Sequence, residues 1–156
     1  MSEFRVEKRR EAAEITLSTG SAVTGHFFLS GSSQLHAGPE RVGDLLNLES
    51  GFFPFQGADG DTALINRAHV IKVVLPENVI EAQLDDGYDV ATRRHVSVLL
   101  SSGETVTGHV AVYRPIGRDR LSDYAHIDDR FRYVELADRT VLVNSQHIVS
   151  LREVTE

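Results

Sequence analysis

Four histidines have the widest chemical range of the side chains in this sequence. His26 and His109 each follow a glycine, and His69 and His147 each lie three residues after an asparagine. Two imidazoles in each half of the chain could converge on a transition metal, because neutral imidazole is a common metal ligand. The chain has no cysteine and no H-x-H or H-E-x-x-H spacing, which favours rings that bond to neighbouring polar groups. We therefore predict structural histidines and no metal or other cofactor.

Two arginine–aspartate pairs share the spacing R-x-x-D, Arg41 with Asp44 and Arg120 with Asp123. Such a pair could be a catalytic acid and its orienting cation. The same pattern is typical of a helix start, where the aspartate caps the helix and the arginine forms a surface ion pair. No nucleophile elbow, phosphate-binding loop or paired-carboxylate motif accompanies the two pairs. We predict that the protein is not an enzyme.

Arginines and aromatic residues provide two further binding candidates. Arg114, Arg118 and Arg120 could hold an anion through bidentate hydrogen bonds, although acidic residues are interleaved with them. Phe53 and Phe55 could stack on nucleic-acid bases. Their strand-like surroundings equally indicate a place in a core or between units.

Composition limits the classes of partner. Lysine and arginine total 16 against 23 aspartates and glutamates, a net charge of −7, which repels a phosphate backbone unless basic residues gather on one face. The longest aliphatic runs have the length of a strand, and the N-terminus has no apolar segment. We expect neither a secretion signal nor a membrane span. Together with the absence of cysteine, this favours a cytoplasmic location.

An internal duplication organises the chain. The segment Leu17–His26 recurs as Leu100–His109, with seven of ten positions identical. Such a repeat indicates two copies of one structural unit. Each copy has about 60 residues, near the lower size limit for an independent core, so we expect the copies to pack together.

The pattern of each copy predicts a small unit of β-strands. Alternating apolar and polar residues predict two strands joined at Gly20 or Gly103. Gly25 and Gly108 lie inside the second strand, which predicts a sharp bend or the close approach of another backbone. A polar loop, a short helical segment at R-x-x-D, two strands, an Asn-x-x-His turn and a last strand follow.

These patterns divide the chain into four parts. We predict an N-terminal arm over residues 1–12, frayed or forming a short helix, and a first β unit over residues 13–76. An acidic connector over residues 77–94 is expected to form one helical turn that packs between the units. The second unit covers residues 95–156.

The order of elements resembles that of the Sm-like proteins, which are SH3-like small barrels of five bent strands. The likeness depends on Leu17-x-x-Gly20-x-x-Val23-x-Gly25 and on Asp44-Leu45-Leu46-Asn47-Leu48. It implies a mainly β chain of two tandem five-stranded barrels, each with a short helical segment. The chain is also similar to bacterial proteins with an R-x-S-D-x-L-N segment followed by an L-V-N-x-x-x-I strand pair, a likeness that implies a fold and no activity.

The Sm-like resemblance also suggests contact residues. Sm-like RNA binders use a residue of the D-x-x-x-N region and an Arg-Gly pair in the second half, and other residues stand at those places here. Together with the arginines of the second copy, the candidate ligand or partner contacts are Asn47, Asn66, Arg67, Arg114, Arg118, Arg120, His126 and Asn144.

The leading functional hypothesis is a non-catalytic interaction or scaffold protein. Small open barrels keep edge strands that must be paired, covered or used, so we expect a homo-oligomer or a complex with another protein. The alternative is the binding of single-stranded RNA in the manner of Sm-like proteins, which the net charge of −7 disfavours.

Overall fold

The computed structural model describes residues 8–31, 33, 38–48, 51–85, 87–113 and 129–155. The first copy contains β1 Lys8–Leu17, β2 Ala22–Ser30, α1 Val42–Leu48, β3 Phe52–Gly57, β4 Thr62–Asn66 and β5 Val70–Val74. The second copy contains β6 Thr92–Leu100, β7 Thr105–Val112, β8 Phe131–Glu135, β9 Thr140–Asn144 and β10 Ile148–Glu153. Short 3₁₀ turns cover Arg67–His69, Glu81–Leu84, Tyr88–Val90 and Ser145–His147. No helix in these described ranges has the length and apolarity that a bilayer crossing requires.

All ten strands belong to one sheet with the order β10-β6-β7-β8-β9-β5-β1-β2-β3-β4. Each copy has the same internal order, in which its fifth strand is followed by its first, second, third and fourth. The copies meet where β5 pairs antiparallel with β9. The prediction of a mainly β chain is confirmed. The sheet is open, with β4 and β10 as its edges, and the predicted arrangement of two five-stranded Sm-like barrels is not confirmed.

The glycines act as the repeat predicts. Gly20 and Gly103 have φ angles of 91° and 88°, which only glycine adopts without strain in the turns that join β1 to β2 and β6 to β7. A Cβ atom on Gly108 would lie 2.5 Å from the carbonyl oxygen of Glu135, and one on Gly25 would overlap the carbonyl oxygen of Gln56. The predicted close approach of a second backbone is therefore confirmed in both copies.

The core has two clusters that interlock across the copies. The first combines Ile15, Phe27 and other residues of copy one with Phe131 and Leu142 of copy two. The second consists of copy-two residues together with Ile71 of copy one. Each copy therefore completes the core of the other, in agreement with the expectation that units of this size pack together.

Three expectations about the ends and the connector need correction. β1 begins at Lys8, because its backbone pairs with β2 as far as Ser30, so residues 8–12 are strand and not arm or helix. β6 begins at Thr92, inside the predicted connector. The connector forms two 3₁₀ turns in place of one helical turn. The predicted short helix is confirmed in copy one as α1, and its counterpart around Asp123 lies outside the described residues.

Candidate interaction site

The junction between the copies combines strand pairing with an exchange of side chains. Lys72, Val73 and Val74 of β5 lie opposite Val143, Leu142 and Val141 of β9. Phe131 and Leu142 insert into the core of copy one, and Ile71 inserts into the core of copy two. All three side chains are fully buried. The junction is thus an intramolecular example of one repeat recognising the next.

Asn47 belongs to this junction. Its Nδ2 donates to the carbonyl oxygen of Phe131 at 2.9 Å, and its Oδ1 accepts the backbone N–H of the same residue at 2.8 Å. The amide therefore attaches the C-terminal end of α1 to the first residue of β8. Asn47, predicted to contact a ligand or partner, uses both of its polar groups here to hold the two copies together.

Asn144 and Asn66 occupy equivalent positions with different surroundings. The Oδ1 of each accepts a backbone N–H two residues later at 3.0 Å and caps a 3₁₀ turn. The Nδ2 of Asn144 also donates across the junction to the carbonyl oxygens of Val70, at 2.9 Å, and Arg67, at 3.4 Å. Among the described residues, the Nδ2 of Asn66 has no such acceptor, because β4 is an edge strand.

His69 and His147 also occupy equivalent positions, and of the two His147 makes a contact across the junction. Nδ1 of His147 lies 2.8 Å from the Ser101 hydroxyl, and Nδ1 of His69 lies 2.8 Å from the Ser18 hydroxyl. His147 then bonds across the junction through Nε2, which lies 2.8 Å from the carbonyl oxygen of Ala68. His69 holds its ring in the same way but lies beside the open edge of the sheet.

Arg67 is enclosed within copy one. Its guanidinium donates to the carbonyl oxygens of Phe52 and Leu45, each at 2.9 Å, and lies over the Phe53 ring. The side chain is fully buried. Arg67, predicted to contact a ligand or partner, therefore supports the turn before β5, and its guanidinium lies inside the fold.

The remaining predicted residues divide into two groups. Arg114, Arg118, Arg120 and His126 lie outside the described residues. His26 is exposed on β2, and the ring of His109 stacks on that of His95 with centroids 4.6 Å apart. In the described ranges, no group of three or more histidine, aspartate or glutamate side chains is arranged to hold a metal.

Glu81 is a structural linking residue that sequence reasoning missed. Its carboxylate accepts the N–H groups of Val42 and Gly43, at 2.8 and 3.1 Å, and the Tyr133 hydroxyl at 2.9 Å. Burial raises the pKa of Glu81, and burial together with the nearby Glu81 carboxylate raises the pKa of Tyr133. The side chain links the connector, α1 and β8. In sequence, a glutamate in an acidic connector looks like a solvated residue, and no local signal distinguishes it.

The R-x-x-D pair of copy one is structural. The Asp44 carboxylate accepts the Arg41 N–H at 2.8 Å, which caps the start of α1 as predicted. The Arg41 guanidinium instead binds the Asp85 carboxylate at 2.7 Å and the Leu84 carbonyl oxygen at 3.1 Å. Burial raises the pKa of Asp85, and the Arg41 guanidinium opposes this shift without cancelling it. Arg41 therefore fastens the connector, and Asp44 caps the start of α1.

The two edges of the sheet expose apolar side chains. On β3 and β4, Phe52 is 60% exposed and Leu64 is 70% exposed, and on β10 Val149 is 64% exposed. Phe52 pairs with Asn66 as Phe131 pairs with Asn144, so these positions correspond between the copies. The equivalents of the three exposed residues are Phe131, Leu142 and Ile71, the three residues that are buried at the junction. We call the surfaces around β4 and β10 the two open edges.

Comparison of the chain with models of protein families, with curated proteins and with solved structures gave no match. The interpretation of the open edges therefore depends on their geometry and on the internal repeat.

Proposed function

We propose that this protein is a non-catalytic interaction protein that acts by extending its sheet, with a partner strand adding to one or both open edges. The observation that carries the proposal is the exposure of Leu64 and Val149 on edge strands whose repeat equivalents are buried. The proposal includes the finer fold prediction, a fused pair of Sm-like units that share the β5–β9 pairing.

An edge strand has unpaired N–H and C=O groups that another chain can bind. Proteins that avoid such pairing place charged residues or proline on the edge. β4 has the sequence Thr-Ala-Leu-Ile-Asn, with no charge and no proline. Its exposed face is therefore suited to pairing with a partner.

Single-stranded RNA binding stays the alternative hypothesis from the Sm-like resemblance. Neither the buried Arg67 nor the hydrogen-bonded Asn47 supports it, and the net charge of −7 opposes it. We expect no change in the fluorescence anisotropy of a labelled single-stranded oligonucleotide at low salt, where phosphate attraction is greatest. An affinity that rises steeply as salt falls would favour the RNA hypothesis.

Amide hydrogen exchange tests the proposed function directly. The amides of β4 and β10 that do not bond to β3 or β6 should exchange quickly in dilute protein and become protected when an edge is occupied. The measurement is made on dilute protein, on concentrated protein and on any complex isolated with a binding partner. Protection at the edges in the second or third sample supports the proposal, and edges that exchange equally fast in all samples contradict it.

A further inference from the structure

We propose that the partner at both open edges is a second copy of this chain, so that β10 of one molecule pairs with β4 of the next. This inference rests on the proposed use of the edges and names their occupant. The motivating fact is that β10 and β4 are the repeat equivalents of β5 and β9, which already pair within the molecule. The two strands whose pairing forms the junction therefore each have a repeat equivalent at an edge of the sheet.

The internal junction defines the register of the external contact. Lys72, Val73 and Val74 lie opposite Val143, Leu142 and Val141. Replacing each residue by its repeat equivalent places Ser150 opposite Ile65, Leu151 opposite Leu64, and Arg152 opposite Ala63. The new contact is antiparallel and adds main-chain hydrogen bonds between two edges.

The exposed apolar side chains fit the proposed contacts with both neighbouring molecules. Phe52 and Leu64 are positioned to insert into copy two of the neighbouring molecule, as Phe131 and Leu142 insert into copy one. Val149 is positioned to insert into copy one of the other neighbour, as Ile71 inserts into copy two. A single arrangement thus covers the three large apolar residues exposed on β3, β4 and β10, and removing such surface from water drives association.

Two polar side chains, Asn66 and His69, are also placed to form hydrogen bonds across the proposed contact. By the equivalence with Asn144, the Nδ2 of Asn66 would donate to the carbonyl oxygens of Ser145 and Ile148 in the neighbour. By the equivalence with His147, the Nε2 of His69 would reach the carbonyl oxygen of Gln146. Ser18 already orients the His69 ring, so this side chain loses little conformational entropy on binding.

The external contact should be weaker than the internal junction. Ser150, Arg152 and Glu153 occupy the positions of Lys72, Val74 and Leu75, so β10 offers less apolar surface than β5. Arg152 would lie opposite Ala63, two residues from Asp61, which adds a favourable charge pair at the rim. We therefore expect reversible association that depends on protein concentration.

The symmetry of the assembly follows from the two different surfaces. Each molecule presents one β4 edge and one β10 edge, and the proposed contact joins unlike edges. Such a head-to-tail contact generates a ring if the rotation closes and a filament if it does not. A two-fold dimer formed by two β4 edges is a different arrangement, which the experiments below can distinguish.

Sedimentation velocity over a range of protein concentrations gives the first test. Wild-type protein should associate as concentration rises, and Leu64→Lys or Val149→Lys should each weaken association at least about tenfold. Both side chains are exposed in the monomer, so circular dichroism should show an unchanged fold. Val90→Lys is the matched control, because Val90 is 88% exposed and lies in the connector, and it should associate like wild type.

Cysteine cross-linking gives the second test, since the native chain has no cysteine. Opposed residues of an antiparallel pair have Cα atoms close enough for a disulfide. An oxidised mixture of Leu64→Cys and Leu151→Cys proteins should form the mixed dimer, whereas Leu64→Cys with Val90→Cys should not. Efficient cross-linking of Leu64→Cys alone would indicate a two-fold β4 contact and overturn the head-to-tail register.

The outcomes separate this inference from the proposed function. A wild-type protein that remains monomeric at every concentration, but whose edge amides become protected in a complex with a different protein, would overturn self-pairing and retain strand addition. Edges that are never protected would overturn both. Concentration-dependent association that Leu64→Lys abolishes and Val90→Lys preserves, together with the mixed disulfide, supports both.

Discussion

Single side chains link the two copies of this protein. Glu81 satisfies two N–H groups of α1 and the hydroxyl of Tyr133, and Asn47 bonds twice to the backbone of Phe131. Each replaces water as the partner of buried polar groups, so its loss leaves those groups unsatisfied. These residues are expected to matter for stability more than their polar character suggests.

We predict that Glu81→Ala lowers the free energy of unfolding by about 3 kcal/mol, because two buried N–H groups and the half-buried Tyr133 hydroxyl lose their acceptor. Urea denaturation measures the change. Glu77→Ala is the control, since Glu77 is an exposed acidic residue of the same connector, and it should alter stability by less than about 0.5 kcal/mol. Equal effects of the two substitutions would mean that the Glu81 contacts contribute little.

The raised pKa of Glu81 predicts a pH dependence of stability. The folded protein holds the proton more tightly than the unfolded chain, whose carboxyl has its ordinary pKa near 4.5. Between that value and the raised folded value, the unfolded chain binds fewer protons, so the contribution of Glu81 to stability falls as pH rises. Below the ordinary pKa the Glu81 carboxyl is protonated in both states, so it does not change the free energy of unfolding with pH.

Urea denaturation of wild type and Glu81→Gln from about pH 5 to about pH 8 tests this sign. Wild type should lose stability relative to Glu81→Gln as pH increases, because glutamine does not ionise. Asp85, which also has a raised pKa, is present in both proteins and cancels in the difference. A stability difference that stays constant with pH would contradict the prediction.

At the scale of elements, each hairpin depends on a glycine within its second strand. Gly25 in β2 and Gly108 in β7 let the next strand approach so closely that no side chain fits. Strand interiors otherwise disfavour glycine, so steric closeness and not propensity explains both residues. The same device in both copies gives the two halves the same strand order.

Gly108→Ala should destabilise the protein by about 2 kcal/mol, since the added methyl group must displace the Glu135 carbonyl and the Val134 side chain. Gly31→Ala is the matched control, because a Cβ there meets no atom within 4 Å and Gly31 has no positive φ. Thermal unfolding monitored by circular dichroism compares the two. A harmless Gly108→Ala would show that β7 and β8 can separate at low cost.

At the scale of the whole molecule, one sheet passes through both copies and leaves its two ends open. The copies share interlocked cores, so they should unfold as one unit although they arose as a repeat. The same repeat provides each edge with a surface that matches the opposite edge. In the proposed assembly, stability within the molecule and association between molecules depend on equivalent residues.

Leu142 and Leu64 allow this equivalence to be measured. Leu142→Ala should cost about 3 kcal/mol, because it removes a fully buried side chain from the junction. Leu64→Ala should cost less than about 0.5 kcal/mol in dilute protein, where the residue is exposed. Chemical denaturation monitored by fluorescence and by circular dichroism measures both changes, and non-coincident transitions would show that the copies unfold separately.

The sequence by itself determined the features that depend on neighbouring residues. The repeated segment predicts the hairpins and the in-strand glycines, Asn66 and Asn144 predict capped turns, and R-x-x-D predicts the start of α1. Only the tertiary structure decided which copy of each surface is covered. β4 and β9 are identical at three of five positions and apolar at the other two, yet Leu64 is exposed and Leu142 is buried. The difference arises from pairing between strands that are distant in sequence, since local pattern specifies the face of a strand but not whether another strand lies beside it.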